Sequence, residues 1–326
     1  MDPVIPLEAL QFVRDLRIPG ERAALYRDVA ANRYVQVTRG VFVPSPLWEG
    51  ARPEERHRAM MAALAELRPG TVFTGLSAAI GWQRPFVGVT PSVPLVAGGP
   101  GASHSTKTFR VLESSTPFEP IDVGGYAVTP LPRALVDTAR RGRLSTALAA
   151  MDHALSDVDR AEAWPRSARV SPSELLDVLA NGSPVGRARA ARAISLADGA
   201  SGSAGESASR GLMHLLAVPP PVLQQAHVDD EGLIGVTDYC WPDLRVVGEF
   251  DGLGKYLDER LRGDRTAGEV VVAEKLREDR LRALGFTVVR WGWAELMQPA
   301  LLIRKLRRAG IPTRSSIPAS EFLVGR

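Results

Sequence analysis

A short apolar run in the last third of the chain, VVGEFDG at residues 246–252, ends in two acids. Side chains alternate between the two faces of a strand, so Glu249 and Asp251 share one face of any strand that forms here. Buried carboxylates are rare unless they have a partner. The run therefore restricts the fold to one in which a mostly buried strand has either an exposed polar face or a cation beside its acids.

A third acid lies on the preceding strand candidate, LIGVTDYC at residues 233–240. The two candidates are joined by WPDL, which has Pro at the second position and Asp at the third, as type I turns favour. In an antiparallel pair Asp238 lies across from about Val247 or Glu249, and either register puts it on the face of Glu249. The alternation thus predicts that Asp238, Glu249 and Asp251 converge.

Three carboxylates packed this closely repel one another, and a divalent cation removes the conflict. Oxygen donors with few His or Cys residues nearby favour Mg²⁺ or Mn²⁺. A metal ion there would polarise a phosphoryl oxygen and activate a water, while Lys255 or Lys275 would hold the water or stabilise the pentacovalent phosphate. The alternatives are a polar strand face with ordinary ion pairs for the acids and an exposed helix position for Lys275.

Length and composition exclude several classes of protein. With 326 residues, 45% apolar and 24% charged, the chain is predicted to form two or three globular domains. No apolar run approaches the roughly 18 residues of a spanning helix, and the N-terminal stretch lacks the basic region of a signal peptide. The single cysteine, Cys240, excludes an internal disulfide. We therefore expect a cytoplasmic protein without a membrane partner, and the sequence pI of about 9.2 is compatible with nucleic acid.

The N-terminal region has the parts of a winged helix. Residues 7–18 and 20–32 are predicted to form two short helices, and RYVQVTRGVFVP at residues 33–44 predicts a hairpin that turns at Arg39–Gly40. In such a domain, over residues 1–50, exposed arginines contact DNA phosphates or face a groove. The candidates are Arg22, Arg27, Arg33 and Arg39.

Three further regions follow along the chain. Residues 51–160 are predicted to form a middle α/β domain, and residues 161–204 a helical and Gly/Ser-rich linker. Residues 205–326 predict the order helix, three strands, long helix, strand and helix, with the long helix ended by Gly285. The fold class is thus α/β (α+β) and multi-domain, with an α-β-β-β-α-β core in its C-terminal part.

The C-terminal pattern resembles a known nuclease family. TDYCWPDLRVVGEFDGLGKY, followed by AEKLREDRLRALGFTVVRWGWAEL, is similar to the PD-(D/E)XK (restriction-endonuclease-like) superfamily in its very-short-patch-repair-like branch, over roughly residues 200–300. Asp238, Glu249 and Asp251 match the acids of that motif in place. The resemblance implies a restriction-endonuclease-like core and Mg²⁺- or Mn²⁺-dependent cleavage of DNA.

The chain departs from the strict motif at one position. Asp251 stands where the family has its lysine, so the implied lysine would be Lys255 beyond the strand or Lys275 on the following helix. Glu206 matches the accessory acid that such nucleases often carry. Its alternative role is structural, because Ser203-x-x-Glu206 also has the spacing of a capping box.

The first 160 residues resemble the AbiEi-type antitoxin arrangement of bacterial regulators. RYVQVTRGVFVP matches the wing, and Thr129, Arg133 and Asp137 match a T-x-x-x-R-x-x-x-D element. This resemblance implies DNA binding and autoregulation, and it implies a cognate toxin as a protein partner.

These patterns together predict a metal-dependent DNA endonuclease with an N-terminal DNA-binding domain. Asp238 and Glu249 would bind the metal, Asp251 would act as ligand or base, and Lys255 would act on water or phosphate. Arg290, in VVRW, would hold either a carboxylate or a phosphate. Two alternatives stay open: a DNA-binding transcriptional regulator or antitoxin that keeps a nuclease fold without turnover, and an RNA-processing enzyme.

Overall fold

The computed structural model describes residues 5–88, 90–99, 101–102, 104–113, 116–156, 169–252, 267–318 and 321, without the side chains at positions 267, 270 and 271. These residues form mixed α/β structure, as the sequence predicts. The chain divides into two compact units: the first comprises Met1–Arg84, Val89–Gly142 and Ala161–Ile194, and the second comprises Pro85–Gly88, Arg143–Arg160 and Ser195–Arg326. In the described segments no helix is long and apolar enough to cross a membrane.

Helices and strands alternate irregularly along the chain. The helices are α1 (Glu21–Ala30), α2 (Ser45–Gly50), α3 (Pro53–Leu67), α4 (Gly75–Gly81), α5 (Leu131–Arg141), α6 (Leu144–Leu155), α7 (Pro172–Asn181), α8 (Arg187–Leu196), α9 (Ala204–Leu215), α10 (Ala267–Ala283), α11 (Trp293–Met297) and α12 (Pro299–Arg308). The strands are β1 (Gln11–Phe12), β2 (Tyr34–Thr38), β3 (Val41–Pro44), β4 (Leu95–Gly98), β5 (His104–Ser105), β6 (Arg110–Glu113), β7 (Ile121–Val123), β8 (Tyr126–Val128), β9 (Val222–Asp229), β10 (Gly232–Trp241), β11 (Val246–Asp251) and β12 (Thr287–Gly292).

The first unit begins with a small antiparallel sheet in the order β1-β3-β2, with α1 directly before β2. Gly40 has a φ of 77° at the β2–β3 turn, a conformation that glycine adopts without strain. The helix predicted near residues 20–32 and the predicted hairpin are both confirmed. Whether this segment is a winged helix stays a prediction.

The helix predicted over residues 7–18 is wrong. Two 3-10 turns, Leu7–Ala9 and Val13–Asp15, stand there on either side of β1. Phe12 of β1 pairs with Val41 of β3 and is buried. Strand pairing and burial thus override the weak helical preference of this short segment.

The rest of the first unit joins its helices to short strands. One sheet has the order β4-β6-β5, and β7 pairs with β8 as a hairpin. Phe73 forms single bridges to Val96 of β4 and to Val128 of β8, and it is fully buried. These bridges place one aromatic ring between the two groups of strands.

The T-x-x-x-R-x-x-x-D element forms a buried polar network in this unit. Asp137 accepts a hydrogen bond from Thr74 Oγ1 at 3.1 Å, and it pairs with Arg140 at 3.2 Å and Arg133 at 3.6 Å. Thr129 donates in turn to Thr74 at 3.3 Å. Burial raises the pKa of Asp137, while the two arginines oppose that shift. The element therefore connects α5 to the start of α4 through side chains that lie away from solvent.

A buried histidine lies beside the same helix α4. His57 is inaccessible to solvent, and its two ring nitrogens lie 3.2 Å from the carbonyl oxygen of Pro91 and 2.8 Å from Ser77 Oγ. A carbonyl oxygen only accepts, so Nδ1 carries the proton and Nε2 accepts from the serine. Burial lowers the pKa of His57 to about 4. The ring is thus neutral in the folded protein at pH 7.

The second unit is built on one sheet in the order β12-β11-β10-β9. β9, β10 and β11 pair antiparallel, whereas β12 pairs parallel to β11, and α10 is the crossover between those two strands. The order helix, three strands, helix, strand and helix agrees with the sequence prediction. Its assignment as a nuclease core stays a prediction.

Different helices cover the two faces of this sheet. Tyr239 and Trp291 pack with Leu212 of α9 in one core, while Cys240 packs with Leu281 of α10 in a second. The rings of Tyr239 and Trp291 stack with their centroids 5.2 Å apart. Alternation along each strand thus separates side chains directed to α9 from those directed to α10.

The last predicted helix is divided in two. The sequence predicts one helix over residues 294–310, but α11 ends at Met297 and α12 begins at Pro299. Proline has no N–H to continue a helix, yet it is well suited to the first turn of a new one.

We expect the His57→Asn variant to lose part of the acid sensitivity of the first unit. The folded-state pKa lies below the unfolded one, so the unfolded chain takes up the proton first, and stability falls as the pH drops from about 6.5 toward 4. From pH 7 to pH 5 the wild type should lose about 2 kcal/mol more unfolding free energy than the variant. Urea unfolding at both pH values measures this, with exposed His104→Asn as the control; equal losses in wild type and His57→Asn would contradict the prediction.

Candidate functional site

The positions of Asp238 and Glu249 follow from the pairing of β10 with β11. Trp241 lies opposite Val246 and Tyr239 opposite Gly248, so the next pair along this register is Asp238 with Glu249. The loop between the strands spans Pro242 to Arg245, as the WPDL turn predicts. The structure thus brings Asp238 and Glu249 to neighbouring positions on adjacent strands.

Glu249 is buried between two arginines. Its Oε1 accepts from Arg277 of α10, and its Oε2 lies 2.8 Å from Arg290 of β12. Arg290 is the residue opposite Glu249 in the parallel pairing of β11 with β12. Gly235 leaves room for Arg277, because a Cβ there would lie 2.8 Å from its Nε. Both oxygens of Glu249 therefore have a cationic partner.

The two arginines extend this pair into a network of charges. Arg290 also contacts Glu274, Glu278 at 3.4 Å and Asp251 at 3.9 Å. Burial lowers the pKa of Arg290, but the hydrogen bond to Glu274 and the neighbouring carboxylates outweigh it and raise that pKa. The pKa of Arg277 is also raised, since its hydrogen bond to Glu249 and nearby carboxylates exceed the effect of burial. Both guanidiniums are therefore permanently charged.

Asp238 has other partners. Its Oδ2 accepts from the backbone N–H of Phe250 at 2.8 Å, and Gln224 Nε2 lies 3.4 Å from its Oδ1. The same Gln224 nitrogen donates to Glu206 at 3.0 Å. Gln224 has a φ of 48°, so the backbone of β9 is left-handed at this position. One amide thus connects a carboxylate of β10 to a carboxylate of α9.

Glu206 and Ser203 form the N-cap half of the capping box that their spacing predicts. Its backbone N–H donates to Ser203 Oγ at 3.2 Å, and that hydroxyl donates to Glu206 Oε1 at 2.9 Å. Gly202 N–H donates to the other oxygen at 2.6 Å. The carboxylate thus accepts one residue earlier than in a full capping box, so the structural alternative holds in part, and the accessory catalytic role of Glu206 stays a prediction.

Asp238 and Glu249 are connected to different helices. Asp238 is connected through Gln224 to Glu206 of α9, whereas Glu249 is bound to Arg277 of α10. The sequence predicts a common face for the two acids. The register of β10 with β11, continued by one residue, places the two acids opposite each other, as that prediction requires.

The predicted metal donors do not fit one ion as they are arranged. Both oxygens of Glu249 are paired with arginines, and Asp238 accepts from the Phe250 backbone N–H and lies beside Gln224. Across the segments with described side chains, no three Asp, Glu, His or Cys residues form a group that could hold a metal ion. No catalytic step through a metal follows from this geometry.

The candidate lysines are placed differently. Lys255 lies outside the described residues. Lys275 lies on the exposed side of α10, in agreement with its alternative as a surface residue. The catalytic role of each lysine stays a prediction.

Three of the five candidate DNA-binding arginines lie on the surface of the first unit with no acidic partner described. Arg22 and Arg27 are exposed on α1, and Arg39 is exposed at the β2–β3 turn. Arg33 is also exposed, but its guanidinium is paired with Asp28, at 3.1 Å from Nε. The fifth, Arg290, holds carboxylates, which was one of its two predicted alternatives.

The sequence interpretation did not identify Arg277, Gln224 or Glu274. Arg277 and Glu274 are three residues apart on α10 and form an ion pair at 3.0 Å, so helical spacing in AEKLREDR was a usable signal. Gln224 gave no such signal, because its role depends on a backbone conformation that glutamine seldom adopts.

Comparisons with known proteins give similarity over part of the chain. No family model matches it. Two proteins from Mycobacterium tuberculosis, Uncharacterized protein MT2308 (strain CDC 1551 / Oshkosh) and Uncharacterized protein Rv2248 (strain ATCC 25618 / H37Rv), are each 30% identical to it over 169 residues. The match covers 51% of this chain and 55% of each relative, so the chain spans about half the length of the curated relatives it matches. The crystal structure of the RV2827C protein from Mycobacterium tuberculosis aligns with a TM-score of 0.36 and 16% identity, over 68% of this chain and 84% of that one.

We expect Glu249→Gln to destabilise the second unit by about 3 kcal/mol, because it leaves two partly buried guanidiniums without their shared partner. Asp251→Asn is the matched control, since its side chain is one-third exposed and lies 3.9 Å from Arg290. That variant should change the unfolding free energy by less than about 1 kcal/mol. Urea unfolding monitored by tryptophan fluorescence measures both, as Trp241 and Trp291 are buried in this unit. Equal midpoints for Glu249→Gln and the wild type would contradict the prediction.

Proposed function

We propose that the protein is a DNA-binding regulator whose C-terminal unit has a nuclease-like order of elements and does not hydrolyse DNA. The pairing of Glu249 with Arg277 and Arg290 is the observation that supports a lack of DNA hydrolysis. The nuclease resemblance assigns this carboxylate to a metal ion. In this chain its charge is balanced by two cations from neighbouring elements.

Releasing Glu249 for a metal ion is costly. Its side chain is about nine-tenths buried, and those of Arg277 and Arg290 are about four-fifths buried. Removing one partner from a buried ion pair costs about 3–5 kcal/mol, because the remaining charge is left without compensation. A divalent ion would also add positive charge beside the two guanidiniums. Both effects favour the ion-paired arrangement over a metal-bound one.

DNA binding is supported by the surface of the first unit. Arg22 and Arg27 of α1 and Arg39 of the hairpin turn are exposed, and α1 precedes a sheet of order β1-β3-β2. The planar guanidinium of arginine suits the phosphate group, and such contacts position a protein on DNA without reading its sequence. The antitoxin resemblance adds autoregulation to this proposal and a cognate toxin as partner.

A metal-dependent endonuclease is the second candidate, and one observation favours it. Gln224 connects Glu206 with Asp238, so two acids that the nuclease resemblance assigns to catalysis lie close to the same amide. In this candidate Asp238 would ligate Mg²⁺ or Mn²⁺ and Glu206 would assist. Lys255 would supply the cation beside the phosphate.

A plasmid-nicking assay decides between the two candidates. We expect the wild type to leave supercoiled plasmid intact in Mg²⁺ and in Mn²⁺, because Glu249 is held by two arginines. Asp238→Ala and Glu249→Ala are assayed in parallel, with EDTA as the metal control and an RNA substrate to test the RNA-processing alternative. Nicking by the wild type that both substitutions abolish would contradict the regulator proposal and support the nuclease.

We expect the double substitution Arg22→Gln, Arg27→Gln to weaken binding to a fluorescent DNA duplex by about tenfold or more at 50 mM salt, with a slope of log K against log salt shallower by about two. Arg33→Gln is the matched control, because its guanidinium is already paired with Asp28. Fluorescence anisotropy over a salt series measures both variants. Unchanged affinity and slope in the double variant would remove α1 from the interface.

A further inference from the structure

The first unit contains an open cleft of about 620 Å³ between two hairpin turns. One wall is the end of the β2–β3 hairpin with Arg39, and the other is the turn from Thr106 to Thr108 that follows β5. Pro94 and Met60 contribute to the apolar part of its lining. Each turn thus places one cation at the border of the same cleft.

The turn that carries Lys107 is well ordered by hydrogen bonds. Thr106 N–H donates to the carbonyl of Phe109 at 2.9 Å. The Thr106 hydroxyl accepts from the backbone N–H groups of Thr108 at 3.2 Å and Phe109 at 3.0 Å. Lys107 itself is exposed. The ammonium is therefore presented from a short, internally bonded turn, so little backbone ordering opposes ligand binding.

The cleft has the chemistry of a phosphate-backbone site. Its lining includes Arg39 and Lys107 as cations, hydroxyl groups from Thr38 and Ser92, and no carboxylate among its described residues. Val37 and the other apolar side chains form a surface that a backbone sugar could contact. Cations with hydroxyl donors above an apolar floor match a chain of alternating phosphates and sugars.

We propose that this cleft binds the sugar–phosphate backbone of DNA and extends the interface of α1 and the β2–β3 hairpin to the β5–β6 turn. The proposal rests on the proposed function, because it assumes that the first unit binds DNA. Lys107 is the new contact residue, and Arg39 is shared between the hairpin and the cleft. The contact adds affinity without sequence preference, since the lining offers charge and hydroxyl groups to the backbone.

Substitutions at Lys107 test the proposal with the full-length protein. Lys107→Gln should weaken duplex binding about tenfold at 50 mM salt and make the slope of log K against log salt shallower by about one. Arg304→Gln is the charge-matched control, because Arg304 is exposed on α12 of the other unit and lies outside the cleft. Circular dichroism confirms that each variant is folded.

Lysine acetylation provides a second readout that needs no substitution. The chain has four lysines, and Lys107 is the single lysine in the residue ranges of the first unit. A DNA duplex should protect Lys107 from an N-hydroxysuccinimide ester, as measured by mass spectrometry, and leave Lys305 of the other unit equally reactive. Inorganic phosphate at matched ionic strength should not reproduce this protection.

The outcomes distinguish a failure of the cleft proposal from a failure of the proposed function. If Lys107→Gln binds with wild-type affinity and slope while the Arg22, Arg27 double variant is weakened, the cleft proposal is overturned and DNA binding stands. If phosphate alone protects Lys107 as fully as DNA does, the cleft is a small-anion site and the backbone proposal is overturned. If the wild type binds no DNA at 50 mM salt, the proposed function fails, and the cleft proposal fails with it.

Discussion

The ion pairs of Glu249 are the interaction on which the second unit depends. β11 has a neighbouring strand on both sides and a helix on each face, so a carboxylate near its end needs compensating charge. That charge comes from Arg277 on the crossover helix and Arg290 on the returning strand. One buried acid thus connects three consecutive elements, and their geometry places both of its oxygens against guanidinium groups.

The two units use their positively charged side chains differently. In the second unit, arginines of α10 and β12 are used inside an acidic network and their pKa values are raised. In the first unit, α1 and two hairpin turns carry arginines and a lysine on the surface. The net charge of only +3 therefore underestimates the positive charge on these surfaces, because acids that lower the net charge are paired with arginines inside the second unit. The proposed binding of DNA therefore depends on the exposed cations of the first unit rather than on the net charge of the chain.

Local patterns predicted most elements of the fold. The alternation in VVGEFDG and the WPDL turn gave the β10–β11 hairpin, and the long helix before Gly285 gave the crossover. The failure came where a distant contact decides: within residues 7–18 only Gln11–Phe12 is a strand, paired with β3 between two 3-10 turns, and no helix forms. The candidate acids were placed on the correct strands, but Arg277 was overlooked as the partner of one of them.

The sequence by itself determined which residues could be neighbours along a strand or helix, since alternation and helical spacing are local properties of the chain. It thereby limited Glu249 to an exposed strand face or a compensating cation. Only the tertiary structure decided which cation, because Arg277 and Arg290 reach Glu249 through a parallel crossover that brings together residues 28 and 41 positions apart. These two guanidiniums reach the buried carboxylate because α10 covers one face of β11 and β12 pairs beside it.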